Sequence, residues 1–136
     1  MAVPRKLSST DTRYVSAVVH ANRFVMPDTA TAADEYGYRR VKEATAGALT
    51  ALGVSLFDAS PTPFADTTFV KPRTAVTYST APQTAHVEFA AAAADGEALI
   101  CAADGKATPG STAGAVVGWA IGDVPAAGLG HVKLAR

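Results

Sequence analysis

The sequence predicts a mainly β protein, a small β-sandwich or barrel-like domain of about eight short strands with one or two short helical turns. Three observations indicate this fold class. Short segments rich in valine, threonine and aromatic residues recur along the 136-residue chain. Turn pairs such as Asp95-Gly96 and Asp104-Gly105 fall between such segments. Eight prolines also punctuate the chain, and turns recur about every eight to twelve residues, as in β-sandwiches and barrels.

The N-terminal element is predicted to be an extended arm over residues 1–13, because this segment is polar. One β-rich domain follows over residues 14–136. Its first strand is predicted at Tyr14–Val19, where β-branched residues are frequent. Its second strand is predicted at Arg23–Met26 and ends before Pro27.

A helical turn is predicted from Thr31, whose hydroxyl can cap the first backbone amides, and Gly37 limits its length. The alanine run that follows Phe89 has high helix propensity but is too short to form a stable helix without packing. Further strands are predicted at residues 67–70, 74–79, 86–89, 97–101 and 130–136.

The chain also resembles itself. Residues 46–61 align with residues 113–125 after a two-residue gap, and both segments run Ala-Gly-Ala, an apolar pair, Gly, Asp and Pro. We therefore interpret the domain as two similar halves, residues 14–62 and 85–136.

Two aligned positions have a structural interpretation. A glycine inside a strand pattern, here Gly53 and Gly118, indicates a bulge or a close backbone approach. The aligned aspartates, Asp58 and Asp123, stand where each strand should turn, and their carboxylates can accept hydrogen bonds from turn amides.

Composition predicts a thin core. Hydrophobic residues make up 49% of the chain, but 30 of them are alanine. A domain of this kind often gains stability from partner subunits. The net charge is zero, which gives no general attraction to nucleic acid. Residues 1–42 carry three more basic than acidic groups, which is either ordinary surface scatter or a basic portion that meets an acidic surface.

Several functional classes are not expected. The single Cys101 cannot form an internal disulfide or a four-ligand zinc site by itself. The chain has no long apolar run and starts without a secretory leader, so we expect a soluble protein of a reducing compartment with no membrane partner. The nucleophile and phosphate-loop motifs are missing, and no enzyme, metal or cofactor is expected. Isolated side chains that could carry chemistry are His20, His86, His131, Cys101, Asp34 and Glu35, each interpreted as a surface, edge or core residue.

The aromatic residues and the basic arm are the candidate interface. The aromatic side chains either form the core or anchor a subunit interface, where such residues are enriched. The arm could add a strand to a neighbouring sheet edge, and we expect removal of residues 1–12 to leave the domain folded. The candidate interface residues are Arg5, Lys6, Arg13, Tyr14, Phe57, Phe64, Phe69 and Trp119.

Residues 94–110 and 114–128 resemble the capsid decoration proteins of tailed bacteriophages. The resemblance lies in a rhythm: a Gly-containing turn, a short apolar strand, Asp104-Gly-Lys, an alanine-rich stretch, and Val116-Val-Gly-Trp-Ala. A final Val-x-Leu strand completes it, and the first half repeats the rhythm with less fidelity. Trp119 departs from the small or β-branched residue typical of its position.

The resemblance implies a β-rich fold, assembly as homotrimers, and binding to the major capsid protein on the outside of an icosahedral head. It implies a virion location after synthesis in the host cytoplasm, and neither activity nor cofactor. The alternative interpretation is a non-catalytic β-sandwich binding module, either carbohydrate-binding or the base of a fibre. A small enzyme is a third possibility, for which the sequence offers no converging ionisable groups.

Overall fold

The structure is a computed structural model that describes residues 10–61, 75–81 and 83–135. The predicted mainly β fold class is confirmed: these residues form ten strands and a single turn of 3₁₀ helix at Ala103–Gly105. The strands are β1 Thr10–Tyr14, β2 Phe24–Pro27, β3 Val41–Glu43, β4 Gly53–Ser55, β5 Ala75–Ser79, β6 Thr84–Phe89, β7 Ala98–Cys101, β8 Ala107–Pro109, β9 Gly118–Ile121 and β10 Gly128–Leu134.

The strands form two units. The first unit is a five-stranded sheet in the order β1-β5-β4-β2-β3. A parallel bridge between Val15 and Val41 brings the end of β1 beside β3, so this sheet curls back towards its own first strand. The second unit is a closed five-stranded barrel in the order β10-β6-β8-β7-β9.

Both units follow one pairing plan. Counting within each unit, the order is first, fifth, fourth, second and third strand, and a parallel bridge joins the third strand to the first. That bridge is Val15–Val41 in the first unit and Phe89–Ala107 in the second. Registers match too: Val25 opposes Gly53 as Leu99 opposes Gly118. Strand positions of one unit therefore have counterparts in the other, although some connecting loops differ in length.

The two aligned aspartates occupy counterpart positions and make counterpart bonds. Asp58 Oδ1 accepts a hydrogen bond from the Ala21 amide at 2.7 Å, and Asp123 Oδ1 accepts one from the Asp95 amide at 2.8 Å. In both units the next residue makes an antiparallel bridge, Ala59 with Val19 and Val124 with Ala93. A short carboxylate thus ties a turn to a distant loop in each unit.

Inward-facing residues of each unit form its core. The first core consists of Val15, Val19, Val25, Val41, Ala59, Val76 and Tyr78. The second core includes Val87, Phe89, Leu99, Ala107, Val117, Ala120, Val124, Val132 and Leu134. The second cluster also contains residues from the outer face of the first unit, namely Phe24, Ala44, Ala48, Ala51 and Val54. The two units are therefore joined by shared apolar packing.

We call this contact the junction. Its centre is the segment Asn22–Phe24, which lies between β6 and the 3₁₀ turn. The Asn22 carbonyl accepts a hydrogen bond from the Glu88 amide at 3.0 Å, and Arg23 Nη1 donates to the Asp104 carbonyl at 3.1 Å. Phe24 is 1% exposed. Backbone bonds and a buried aromatic ring together fill the gap between β6 and β8.

Several sequence expectations need correction. The first strand is Thr10–Tyr14 rather than Tyr14–Val19, since β5 pairs with the segment that was expected to be arm. No helix forms at Thr31, where Asp28 and Asp34 instead build tight turns by accepting amide hydrogen bonds. The alanine run is likewise not helical: the Ala90 amide donates to the Ala107 carbonyl of β8, and Ala93 forms a bridge with Val124.

The boundaries of the two units also differ from the expected halves, because β5 belongs to the first sheet although it follows residue 62. The strand expected at residues 67–70 and the arm before residue 10 lie outside the described residues. Strands expected near residues 24, 75, 86, 98 and 130 are confirmed by β2, β5, β6, β7 and β10.

Candidate functional site

A groove of about 600 Å³ lies between β1 and the loop of residues 28–40, which connects β2 to β3. The corresponding connection in the second unit, residues 102–106, is much shorter. The groove exists because β1 meets β3 only at Val15, so the two strands diverge beyond that bridge. Its walls are Asp11, Thr12, Arg13, Tyr14, Ala32, Asp34, Tyr38, Arg39, Arg40 and Ala75.

Arginine and tyrosine side chains alternate along the groove. The guanidinium carbon of Arg13 lies 4.9 Å from the centroid of the Tyr38 ring, and that of Arg40 lies 5.9 Å from the Tyr14 ring. Both distances suit cation–π attraction. The Nε atom of Arg13 is buried and has no hydrogen-bond partner among the described residues. The groove wall thus combines flat aromatic surface with a small net positive charge, because three arginines face two aspartates, Asp11 and Asp34.

The loop is held by its own polar groups. Asp34 Oδ1 accepts hydrogen bonds from the amides of Tyr36 and Tyr38 at 2.9 and 3.0 Å, and Arg39 Nη1 donates to the Thr31 carbonyl. These bonds are internal to the loop, and Arg13 Nη1, which donates to the Arg39 carbonyl at 3.4 Å, joins it to β1. Tyr36 is 77% exposed. The carboxylate of Asp34 therefore serves the loop fold, as expected of a turn residue.

One carboxylate, Asp28, and one phenol, Tyr78, have shifted pKa values near the groove. The Ser16 hydroxyl, which donates to Asp28 Oδ2 at 2.7 Å, and the Ala30 amide lower the pKa of Asp28. Burial raises the pKa of Tyr78 to about 12, and the nearby Asp11 carboxylate acts in the same direction. The Tyr78 hydroxyl donates to Asp11 Oδ2 at 3.3 Å. These shifts stabilise the fold around the groove and do not prepare an acid or base.

A second exposed surface, the Trp119 face, is the outer side of β9, β10 and β6. It is defined by Trp119, Ile121, Leu129, His131, His86 and Lys133. Trp119 lies opposite Lys133, and Ile121 lies opposite His131, which in turn opposes His86. Trp119 is 42% exposed and Leu129 is 55% exposed. Exposed apolar side chains that lie together, here Trp119, Ile121 and Leu129, are typical of interaction surfaces.

Two of the three histidines lie together in the structure, whereas each was expected to be a separate surface or edge residue. His86 and His131 are cross-strand neighbours, with stacked rings whose centroids are 4.8 Å apart. His20 Nδ1 lies 2.8 Å from Glu43 Oε2. Cys101 is buried, as expected of a small hydrophobe. Within residues 10–61, 75–81 and 83–135, no three His, Cys, Asp or Glu side chains cluster in a way that could hold a metal ion.

No helix among the described residues is long and apolar enough to cross a membrane.

Of the eight candidate interface residues, four lie outside the described residues: Arg5, Lys6, Phe64 and Phe69. Arg13 and Tyr14 stand together in the groove wall, and Tyr14 is 62% exposed. Trp119 is on the surface of the second unit, away from either core. Phe57 is half-buried and packs against the core of the first unit.

Sequence reasoning missed three residues that shape the groove, namely Tyr38, Arg39 and Arg40. Their signal was present, since a tyrosine beside two arginines in a glycine-containing loop is typical of a recognition surface. The groove itself could not be anticipated, because it depends on where β1 and β3 separate.

No protein-family model matches this sequence, and no curated protein matches it. Among solved structures, the fold is similar to the head fiber gp8.5 N base in bacteriophage phi29. The TM-score is 0.65, the sequence identity is 17%, and the match covers 93% of this chain and 93% of that chain. At this identity the likeness shows a shared fold across almost the whole length of both chains.

Proposed function

We propose that the protein is a structural component of a phage virion that binds the outside of the head and stabilises the shell. The observation that carries the proposal is the fold shared with the phi29 head fiber base over 93% of both chains. The sequence resemblance to capsid decoration proteins points to the same class independently. The proposed partners are further copies of this chain, as a homotrimer, and the major capsid protein.

The surfaces of the molecule support a binding role. The described residues expose apolar side chains on a rigid β scaffold, and the groove adds arginine and tyrosine, which are enriched at interfaces. A decoration protein needs only modest affinity per contact, because contacts made by many linked sites on a shell reinforce one another. The proposal includes no catalytic step, nucleic-acid partner or membrane partner.

The test is binding to purified shells of the parent phage that lack this protein. We expect the full chain to co-sediment with shells in a saturable, stoichiometric manner and to raise the temperature at which the shells disrupt. The control is an unrelated β protein of similar size and charge. A chain that is folded yet stays in the supernatant at micromolar concentration contradicts the proposal.

A second candidate is the base of a head fibre, which the fold match specifically favours. It differs from a decoration subunit in carrying a projecting structure. Electron cryomicroscopy of intact virions separates the two. Density limited to a domain of this size supports decoration, and density that continues outwards from it supports a fibre base.

A further inference from the structure

The junction inside the chain has a counterpart that no segment within residues 10–61, 75–81 and 83–135 fills. In the second unit, the gap between β6 and the 3₁₀ turn is filled by Asn22–Phe24 of the first unit. In the first unit, the matching gap lies between β1 and the end of the 28–40 loop. That gap is the groove. The same pairing plan therefore creates two equivalent gaps, of which the chain itself is seen to fill one.

We call the segment that fills such a gap the plug, and the second unit carries a plug of its own. The shared register makes Gly96, Glu97 and Ala98 the counterparts of Asn22, Arg23 and Phe24. Both Asn22 and Gly96 have positive φ, at 62° and 82°, and each donates its amide to the strand beside it. In the first unit this segment is covered by the second unit. In the second unit Glu97 is exposed.

The apolar residue beside the plug, Trp119, does not pack into either core of its own chain. Val54 is 1% exposed because it packs into the junction, whereas its counterpart Trp119 is 42% exposed. A large aromatic side chain therefore stands at the place where the first unit makes its principal contact. Such a residue is a common anchor of interfaces.

The charge of the plug differs between the two units. At the junction, Arg23 donates to the Asp104 carbonyl of the second unit and lies 3.8 Å from Glu43 of its own unit. At the corresponding place on the plug of the second unit the residue is Glu97. The groove wall carries three arginines, Arg13, Arg39 and Arg40, against Asp11 and Asp34. A negative plug therefore meets a groove of net positive charge, which favours this pairing.

The groove also exposes a backbone amide that can donate a hydrogen bond. The Glu88 amide donates to Asn22 at the junction, and Tyr14 is the counterpart of Glu88. Alternate amides of a strand point to the same edge, and the Ser16 amide donates to Val41 on the β3 side. The Tyr14 amide therefore points into the groove, where an arriving carbonyl can accept from it.

We propose that the Gly96–Ala98 plug and Trp119 of one copy dock into the groove of a second copy, reproducing between chains the junction seen within each chain. The contact is head-to-tail, because the two surfaces differ. Such contacts form a closed ring when the rotation closes and a chain of subunits when it does not. The inference deepens the proposed homotrimer by naming its surfaces, and it rests on the proposed function only for that biological setting.

The test uses the full chain free in solution, without shells. We expect sedimentation velocity from micromolar to submillimolar concentration to show association. The emission of Trp119, the single tryptophan, should shift to longer wavelength on dilution. Trp119→Ser should weaken association by about 30-fold, the effect typical of an interface anchor. Leu56→Ser, at an exposed apolar residue of the first unit that lies outside both the groove wall and the Trp119 face, is the control and should leave association unchanged.

Charge exchange tests the direction of the contact. Glu97→Arg and Arg40→Glu should each weaken association by about tenfold, and the double variant should restore it. Glu97→Gln controls for the turn, because its amide oxygen keeps the acceptor that now binds the Ala94 amide at 2.9 Å. Thermal unfolding verifies that each variant is folded.

Three results overturn the inference. The first is a chain that stays monomeric at every concentration. Occupation of the groove by residues 1–9 of the same chain would give this result too. The second is association that is indifferent to Trp119 and Glu97. The third is a double charge variant that associates no better than its parents, which indicates that Glu97 and Arg40 do not meet across the contact. Head binding is measured separately on shells, so a failure of self-association and a failure of the proposed function are distinguishable.

Discussion

At the residue scale, the two aligned glycines occupy counterpart places for one reason. A Cβ atom at Gly53 would meet the carbonyl oxygen of Ser79 on the neighbouring strand, and a Cβ atom at Gly118 would lie 2.5 Å from the carbonyl oxygen of Lys133. The close backbone approach expected from the sequence is therefore observed at both positions. It allows the fourth strand of each unit to cross tightly over the fifth.

We predict that Gly118→Val lowers the free energy of unfolding by about 3 kcal/mol, the upper end of the cost of overpacking. The melting temperature should fall by roughly 10 °C for a chain of this size. Ala126→Val, at an exposed loop position, is the matched control and should change little. Equal melting temperatures for the two variants would show that the strand pair has room for a side chain.

Tyr78 makes stability depend on alkaline pH. Because burial raises its pKa to about 12, the folded state retains the phenolic proton where an unfolded tyrosine, with a pKa of about 10, loses it. The stabilising contribution is complete below about pH 10 and is lost as the pH rises towards 12.

We predict that Tyr78→Phe flattens the decline of unfolding free energy above about pH 10. Chemical denaturation at a series of pH values measures that decline. Ultraviolet titration of phenolate should lose its most alkaline step in the same variant. An unchanged alkaline slope in the variant would assign the decline to other groups.

At the element scale, β1 makes the end of the expected arm part of the first sheet. All five of its residues pair with β5, and side chains reinforce the pairing, since the hydroxyls of Thr12 and Thr77 lie 2.9 Å apart. The expectation that residues 1–12 can be removed without harm to the fold is therefore incompatible with the sheet. Within the described part of the chain, this pairing begins at Thr10.

We predict different outcomes for two truncations. Removal of residues 1–9 should preserve the melting temperature, because every described pair of β1 remains. Removal of residues 1–12 deletes three of the five pairs and should cost about 2–3 kcal/mol, at about 1 kcal/mol for each lost hydrogen bond. Thermal unfolding measures both. If the chain without residues 1–12 has the same melting temperature as the full chain, the β1–β5 pairing contributes nothing to the free energy of unfolding.

The same truncation clarifies head binding. A chain without residues 1–9 that still reaches full occupancy on shells would exclude the arm as a contact with the shell. Loss of occupancy with an unchanged melting temperature would place the arm at the shell.

At the scale of the whole molecule, two units of one design are joined by an asymmetric contact. The outer face of the first unit, with Phe24 and Val54, closes the gap of the second. The outer face of the second unit and the gap of the first remain on the surface. A thin core in each unit is thereby extended by the apolar contact between them, and the same logic extends to contacts between chains.

The sequence by itself determined the β fold class, five of the ten strand positions and the two structural glycines. These follow from local chemistry: β-branched alternation, turn residues and backbone space. The sequence also placed Asp58 and Asp123 at turns, but their hydrogen-bond donors, the Ala21 and Asp95 amides, are distant in the chain and not in those turns. Only the tertiary structure decided that residues 10–13 form a strand, that His86 and His131 stack, and that Arg13, Tyr14, Tyr38 and Arg40 share a groove. Those outcomes depend on which strands become neighbours and where two of them part, and residues far apart in the chain meet only when the sheets close.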